Sequence, residues 1–403
     1  MNHRITKVHP DDNVLVALVN LEEGDKVVYN GNEYSLPNRI PAKHKFVTED
    51  LQPGDTITMY GVLVGKAQRP IPKGGVITTS NVKHAANGFE IGERKLAWPK
   101  PDVSRFKDKT FLGFHRPDGK VGTANYWLVV PLVFCENHNI DVLREALVDE
   151  LGYGRNQKNK VTVSSLIDLY KSGKSVDEIL AADVAEQKQE NSRQRLFPNV
   201  DGIKFLTHEG GCGGTRQDAQ ALCGLLAGYI THANVAGATV LSLGCQNAQV
   251  QMLQEEINKR DATFQKPLYI LEQQKIGTET ALIAQAIKQT FAGLVQANGI
   301  ERKPAPLSKL CIGLECGGSD GFSGISANPA IGYTSDLLVA LGGTVILSEF
   351  PELCGVEQNI SDRCVDVADA QRFSQLMKTY SDRAVAAGSG FDMNPSPGNI
   401  KDG

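Results

Sequence analysis

"GIKFLTHEGGCGGTRQDAQALCGLLAGYI", residues Gly202 to Ile230, joins a short apolar run to an amphipathic pattern through a glycine-rich loop. The apolar run predicts a strand, and the pattern from Thr215 to Ile230 predicts a helix. The loop between them carries His208, Glu209, Cys212, Arg216 and Asp218 among four glycines. Because glycine lets the backbone turn sharply and approach a ligand closely, this loop is a candidate binding site.

The same succession of strand, polar loop and helix repeats over the later part of the chain. The strand candidates are ANYWLVVPLVF, GIKFLTH, GATVLSLG, PLYILE, KLCIGLE and GTVILSEF. A helical pattern follows each of them, and this alternation predicts an α/β fold with a mainly parallel sheet. The polar segment from Asn156 to Arg195 predicts a helical insertion that covers the core without belonging to it.

The first 84 residues have a different texture, with short alternating runs separated by turn signals such as "NGN". This pattern predicts a small β domain over residues 1–84. Residues 85–109 show little periodicity and predict a linker. We assign residues 110–250 to a second domain of α/β type and residues 251–403 to a C-terminal α/β domain.

Composition limits the classes of function. A chain of 403 residues exceeds one ordinary domain. The net charge of −4 and the lack of a long basic run argue against a nucleic-acid partner. The longest apolar run, Trp127 to Phe134, is far shorter than a membrane span, and the polar N-terminus lacks a signal-peptide core. We therefore predict a cytoplasmic protein without a membrane partner, whose eight cysteines are thiols or metal ligands.

The loops after the six strands each hold a cysteine, a glutamate or both. Since ligands bind outside the carboxyl ends of strands in open α/β sheets, we expect these loops to form one site. Thiolate, imidazole and carboxylate groups are transition-metal ligands. The candidate metal ligands are His208, Cys212, Cys245, Glu315 and Cys316. The alternative is that free cysteines only pack, as we expect for Cys223 and Cys311.

Three other polar motifs allow a structural or a functional interpretation. "GGSDGFSG", which contains Ser319 and Asp320, is either a tight turn with a helix cap or a cradle for a carboxylate or phosphate. "HPDDN", from His9 to Asn13, and "KHK", around His44, are either solvated turns or polar contacts to a ligand.

Several of these motifs together resemble the altronate and galactarate dehydratase family over almost the whole chain. The motifs are HPDDNVLVAL, LGCQNAQV, GLECGGSDGFSGISANPAIG, GGTVILSEFPEL and NPSPGN. The resemblance implies an N-terminal SAF (antifreeze-like) β domain and a dehydratase that needs Fe(II) or Mn(II). It implies conversion of D-altronate to 2-dehydro-3-deoxy-D-gluconate and water. Family members continue beyond the point that matches residue 403, so we expect this chain to be C-terminally truncated, and we expect a homo-oligomer.

Such a reaction needs a base for the C2 proton and an acid for the leaving C3 hydroxyl. We predict His208 or Glu209 as the base and Glu349 as the acid, with the metal stabilising the enediolate. The predicted substrate contacts are His9, Asn13, His44, Asn125, Arg216, Ser319 and Asp320.

Three alternatives remain open. The first is that the substrate is galactarate or another aldonate or aldarate. The second is that the chain binds a sugar acid without catalysis. The third alternative is an iron–sulfur dehydratase that uses five cysteines, namely Cys135, Cys212, Cys245, Cys316 and Cys354.

Overall fold

The computed structural model describes residues 4–85, 92–95, 98–154, 158–183, 194–317 and 321–390. The chain forms two compact units. One unit contains residues 1–107 together with residues 311–403, and the other contains residues 108–310.

The first unit begins with a domain of eight short strands, as the turn-rich sequence predicts. The strands are β1 (Ile5–Thr6), β2 (Val14–Ala17), β3 (Lys26–Tyr29), β4 (Asn32–Ser35), β5 (Lys45–Val47), β6 (Thr56–Met59), β7 (Val62–Ala67) and β8 (Val82–His84). They pair in three antiparallel groups, β1-β2-β5, β3-β4 and β6-β7-β8. Leu15, Phe46 and Ile57 are fully buried between these small sheets. The "NGN" signal forms the β3–β4 turn, with Asn30 and Gly31 both at positive φ.

The second unit is built on a parallel sheet. Its strands are β9 (Thr110–His115), β10 (Val121–Gly122), β11 (Tyr126–Pro131), β12 (Gly202–Phe205), β13 (Val235–Ser242), β14 (Leu268–Glu272) and β15 (Lys303–Pro306). Its helices are α1 (Asn137–Val148), α2 (Lys158–Lys171), α3 (Val176–Ala181), α4 (Arg216–Thr231), α5 (Val250–Arg260), α6 (Gln273–Ile276) and α7 (Glu279–Asn298). Four strands form the parallel sheet in the order β12-β11-β13-β14.

Helices cover both faces of this sheet, because strand β11 has apolar side chains on both of its faces. Trp127 and Val129 pack with residues of α1 and α7 on one face. Leu128 and Val130 pack with residues of α4 and α5 on the other face. The result is the doubly covered parallel sheet that continuous apolar strands favour.

A small antiparallel sheet in this unit was not predicted. Strand β9 lies between β10 and β15 in it. Strand β15 follows α7 and pairs with β9 through residues Lys303–Pro306. The chain therefore leaves the parallel sheet after its fourth strand.

The remaining described part of the first unit has its own pair of parallel strands, β16 (Cys311–Leu314) and β17 (Thr344–Leu347). Three helices accompany them, α8 (Ala327–Ala340), α9 (Glu357–Arg363) and α10 (Val367–Ala386). The expectation that all six predicted strands end at one sheet edge is therefore wrong. Four of these strands belong to the sheet of the second unit, and two belong to the sheet of the first unit.

Among the described residues, no helix combines the length and the apolar character that crossing a membrane requires.

Candidate functional site

Three loops meet at the carboxyl edge of the four-stranded sheet. Strand β11 lies between β12 and β13, so the direction of the strand order reverses at β11. In open α/β sheets, ligands bind at such a switch point. The loops after β11, β12 and β13 carry Cys135, Cys212 and Cys245, and all three side chains are exposed.

Hydrogen bonds fix these loops to one another. The Phe134 N–H donates to the carbonyl oxygen of Gly210 at 3.0 Å, and the Ala248 N–H donates to that of Gly211 at 3.0 Å. The Asn137 side-chain amide donates to the His208 carbonyl oxygen at 2.9 Å. The loop after β12 is thus held from both sides, and Cys212 has a defined position relative to the other two cysteines.

Gly211 is required for this arrangement. Its φ is +98°, and a Cβ at this position would collide with the Leu132 carbonyl oxygen and lie 2.9 Å from the Val133 Cα. Both obstacles belong to the backbone at the end of β11, so they cannot move aside as a side chain could. The glycine allows the loop after β12 to pass directly over β11.

Cys212 and Cys245 affect the pKa of the Cys135 thiol. Burial raises the pKa of Cys135, and the charges of Cys212 and Cys245 and a hydrogen bond with Cys212 raise it further. The three sulfur atoms do not, however, all lie within 4.8 Å of one another. Cys135 is absent from the predicted single-ion ligand set and appears only among the five cysteines of the predicted iron–sulfur alternative.

His208 connects its loop to the sheet through both ring nitrogens. Nε2 lies 2.8 Å from the Pro131 carbonyl oxygen, and Nδ1 lies 3.1 Å from the Gly210 backbone nitrogen. A carbonyl only accepts and a backbone N–H only donates, so Nε2 carries the hydrogen and the ring is neutral. In this arrangement His208 has no lone pair for a metal and none for a substrate proton, which does not fit its predicted roles as ligand and base.

Other predicted residues lie on the same loop. Glu209 is exposed, and Arg216 is the exposed first residue of α4. Asp218 caps that helix: its carboxylate accepts from the Thr215 N–H at 2.8 Å, and its own N–H donates to the Thr215 hydroxyl. This bonding lowers the pKa of Asp218. Glu209 and Arg216 are therefore the groups of this loop that remain available to an anionic substrate.

The residue after Cys135 carries a buried carboxyl group that the sequence did not reveal. Glu136 is fully buried and accepts a hydrogen bond from Asn139 at 2.7 Å. Its second oxygen, Oε1, has no partner among the described residues. Burial is the main cause that raises the pKa of Glu136.

A second group of metal-ligand type lies in the first unit. Donor atoms of Cys316, Glu349 and Glu352 all lie within 4.8 Å of one another, and all three residues are exposed. The Cys316 N–H also donates to the Glu349 carboxylate at 3.0 Å. Glu349 has a φ of +56°, a conformation that non-glycine residues rarely adopt. Within the described residues, this is the one such group of three or more donors.

The predicted ligand set thus divides between two sheets. His208, Cys212 and Cys245 belong to the second unit, whereas Glu315 and Cys316 follow β16 in the first. Glu315 is exposed, and Glu352 replaces it in the group around Cys316. Ser319 and Asp320 lie outside the described residues.

Two of the predicted substrate contacts have structural partners. Asn125 is completely buried at the amino end of β11, away from the cysteine loops, and its amide bonds Asn199, Ala297 and Arg116. These bonds do not fit the predicted substrate role of Asn125, because every polar atom of its side chain already has a protein partner. Asn13 joins strands of the β domain, donating to the Thr56 carbonyl at 2.9 Å and accepting from the Thr58 N–H at 2.8 Å.

The predicted histidines of the β domain lie in turns. His9 is exposed, and its Nδ1 lies 3.3 Å from the Asp11 backbone nitrogen. His44 is partly buried beside the Ala42 carbonyl oxygen. Neither belongs to the group of Cys316, Glu349 and Glu352.

Comparison with known families matches three successive parts of the chain. Residues 3–85 match the altronate/galactarate dehydratase SAF domain. Residues 113–298 match the second domain of D-galactarate dehydratase/altronate hydrolase, and residues 307–403 match the C-terminal part of D-galactarate/altronate dehydratase. The chain belongs to the altronate/galactarate dehydratase family. As a member of this family it is a hydro-lyase that removes water from a sugar acid, as the motifs predicted.

Individual relatives show how far this family assignment reaches. The chain is 28% identical to the altronate dehydratase of Bacillus subtilis (strain 168) over 393 residues, which are 98% of this chain and 69% of the relative. It is also 28% identical to the altronate dehydratase of Escherichia coli (strain K12) over 394 residues, with the same coverage. The galactarate dehydratase (L-threo-forming) of Escherichia coli (strain K12) is 28% identical over 405 residues, again with 98% and 69% coverage. Overall identity therefore supports a sugar-acid dehydratase and does not separate the two substrates.

Proposed function

We propose that this chain converts D-altronate to 2-dehydro-3-deoxy-D-gluconate and water, with Fe(II) or Mn(II) as cofactor. The observation that carries the proposal is the alignment with altronate dehydratases of two bacteria over 98% of the chain. The alternative substrate is galactarate, which the equally similar galactarate dehydratase favours. A cytoplasmic location and a homo-oligomeric state remain predictions.

The group in the first unit fits a divalent transition metal. Cys316 offers a thiol, and Glu349 and Glu352 offer carboxylates, on loops that follow two adjacent parallel strands. Iron(II) and manganese(II) accept such donors. A bound divalent cation would stabilise the negative charge that develops when the C2 proton of an aldonate is removed. The Cys316 N–H orients the Glu349 carboxylate toward this group. We therefore propose Glu349 as a ligand in place of its predicted role as general acid.

Two exposed side chains of the loop after β12 have the chemistry for removing the C2 proton and for binding the substrate carboxylate. Glu209 carries a carboxylate that can accept a proton from carbon, as general-base catalysis requires. Arg216 at the start of α4 offers a cation and a helix N-terminus to a substrate carboxylate. Glu209 as the base and Arg216 as a substrate contact stay predictions.

The test is formation of 2-keto acid from D-altronate by purified protein, measured without metal and after loading with Fe(II) or Mn(II). We expect metal-dependent turnover that Glu349→Gln and Glu352→Gln reduce at least tenfold. Glu315→Gln is the matched control, since Glu315 is exposed on the same loop as Cys316 but lies outside the group. Saturable altronate binding without turnover under any metal would contradict the proposal and favour a binding module.

A further inference from the structure

Two exposed thiols of the second unit are in direct contact. Cys135 follows β11, and Cys212 follows β12, which pairs with β11 in the parallel sheet. Both residues are exposed, and a hydrogen-bond contact joins their side chains. Cysteines that only pack are usually buried, as Cys223 of the same unit is. Two exposed thiols in contact are therefore a chemical feature of this sheet edge rather than a part of the core.

Hydrogen bonds hold the two loops together on both sides of Cys135 in sequence. Immediately before it, the Phe134 N–H donates to the Gly210 carbonyl oxygen at 3.0 Å. Two residues after it, the Asn137 side-chain amide donates to the His208 carbonyl oxygen at 2.9 Å. Because the loop of Cys135 is tied to the loop of Cys212 at two points, the two thiols stay close without help from a ligand.

The glycines beside Cys212 bring it close to β11 and leave it accessible. Gly211 passes so near the end of β11 that a Cβ on it would lie 2.9 Å from the Val133 Cα. A Cβ on Gly213 would have no neighbour within 4 Å, so this side of the loop is open to a small reagent. The arrangement presents the thiol pair to solvent while the backbone behind it is fixed.

A disulfide between these two residues requires little movement. Its S–S bond is about 2.05 Å long, and side chains that already touch can reach this length by rotation about their own bonds. Cys245, on the loop after β13, is exposed as well. No hydrogen-bond contact joins Cys245 to Cys135 among the described residues, so Cys212 is the partner that the contacts select.

We propose that Cys135 and Cys212 are an oxidation site that forms an intramolecular disulfide when the chain meets hydrogen peroxide. The peroxide oxidises one thiol to a sulfenic acid and is itself reduced to water. The second thiol attacks that sulfur, the S–S bond forms, and the sulfenic hydroxyl group leaves with a proton as a second water molecule. Two electrons thus pass from the thiol pair to one peroxide. A dithiol reductant reverses the reaction by thiol–disulfide exchange.

This oxidation site is independent of the proposed metal group. That group takes its donors from Cys316, Glu349 and Glu352 of the first unit, so it leaves both thiols of the pair free to react. Disulfides of proteins in reducing compartments are usually transient and respond to oxidants. Formation of the disulfide needs no sugar acid, so its test succeeds or fails separately from the test of the proposed function.

The experiment is a peptide map of the whole reduced chain after treatment with hydrogen peroxide and alkylation of the remaining thiols. Trypsin places Cys135 in Val121–Arg144 and Cys212 in Phe205–Arg216, and neither peptide contains another cysteine. We expect mass spectrometry without reduction to find these two peptides joined, and dithiothreitol to separate them. The intact chain should lose two hydrogen atoms in mass before alkylation.

Variants test whether the two thiols act together. In Cys135→Ser, peroxide should leave Cys212 as a sulfenic acid that dimedone traps, because the thiol that would consume it is absent. The yield of dimedone-labelled Cys212 should be at least tenfold higher in this variant than in the wild type. Cys245→Ser is the matched control, with an exposed thiol removed from the neighbouring loop, and should form the disulfide as fast as the wild type.

The peroxide concentration is raised until Cys316, an exposed thiol of the first unit, is oxidised. A Cys135–Cys212 pair that is still reduced at that point would overturn the proposal. So would peptides joined through Cys245, or a sulfinic acid on either thiol without a disulfide. Circular dichroism shows whether each variant is folded, and the wild-type peptide map decides the question without any variant.

Discussion

The hydroxyl of Tyr60 lies directly against the backbone of Gly324, so that a Cβ on Gly324 would overlap it and lie 3.2 Å from the ring carbon Cζ. Tyr60 has a φ of +58°, which is rare for a bulky residue. Ile325, the next residue after Gly324, packs against the buried cluster of the β domain. The β domain and the segment after β16 are therefore packed together within the first unit.

Gly324→Ala should destabilise the first unit by about 1–3 kcal/mol, because the added methyl group forces the Tyr60 ring out of place. Thermal and urea unfolding measure this change. Tyr60→Phe removes the overlapping oxygen, so it should recover part of the loss in the double variant. Gly332→Ala is the control, since a Cβ there has no neighbour within 4 Å. Equal stability of Gly324→Ala and the wild type would show that the contact is not maintained in solution.

Gly211→Ala should distort the loop of Cys212, whereas Gly213→Ala should not. The first change places a Cβ against backbone atoms at a φ of +98°, and the second places it in open space. We expect Gly211→Ala to lose about 2 kcal/mol or more of stability, because left-handed strain adds to the collision. Urea unfolding measures this change. If both variants unfold at the same urea concentration, the glycine does not hold the cysteine loop in place.

His208→Ala should lower stability by about 1–3 kcal/mol, because it leaves the Pro131 carbonyl and the Gly210 N–H without this partner. His208→Asn keeps an acceptor and a donor on a shorter side chain and should recover part of that loss. If His208 only positions the loop, the acidic limb of the pH profile of turnover should survive in His208→Asn. Loss of that limb in a variant with a normal unfolding curve would restore His208 as the base.

The buried Lys266 should make the free energy of unfolding of the protein depend on pH. Its ammonium is buried and donates to the His232 carbonyl oxygen at 2.7 Å. Burial, with a smaller effect of the Arg116 charge, lowers the pKa of Lys266 to about 7. The unfolded chain, with its ordinary lysine pKa near 10.5, then binds more protons than the folded chain between about pH 7 and 10.

The stability of the wild type relative to Lys266→Met should therefore rise across that range, by at most about 1.4 kcal/mol per pH unit. Below pH 7 the lysine is charged in both states, so the difference should be constant there. Urea unfolding at several pH values measures the trend, with exposed Lys288→Met as the control. A difference that is flat or falls between pH 7 and 10 would show that Lys266 keeps its charge when folded.

The regular elements could be predicted from sequence because their signals are local. The apolar runs that became β11, β13 and β14 and the amphipathic pattern of α4 need only a few neighbouring residues to be recognised. The turn at Asn30 and Gly31 likewise depends on two adjacent residues.

The pairing of distant segments could not be predicted in the same way. Lys303–Pro306 has two prolines and no strand alternation, yet β15 pairs with β9, almost two hundred residues earlier in the chain. Because β15 pairs with β9, the chain leaves the parallel sheet after β14. The last two predicted strands, β16 and β17, then form a sheet of their own. Cys311 was expected in the core but is exposed, because β16 belongs to a sheet of only two strands.

The sequence predicted which residue types lie at the site more reliably than it predicted the role of each residue. Cys316 and Glu349 do come together, but Glu352 joins them through the turn that begins at Phe350, which composition does not reveal. The hydrogen bonds that engage His208 and Asn125 involve backbone groups of distant strands and helices. Tertiary structure decides these partners. The sequence alone therefore does not show whether a polar side chain will bond a substrate or a backbone carbonyl group.

The most direct measurement is the specificity of the purified, iron-loaded chain for D-altronate against galactarate, as the ratio of the two kcat/KM values for 2-keto acid formation. We predict that altronate is preferred at least tenfold, with turnover lost on removal of the metal and restored by Fe(II) or Mn(II). A preference for galactarate, or no dehydration of either acid by metal-loaded protein, would contradict the account.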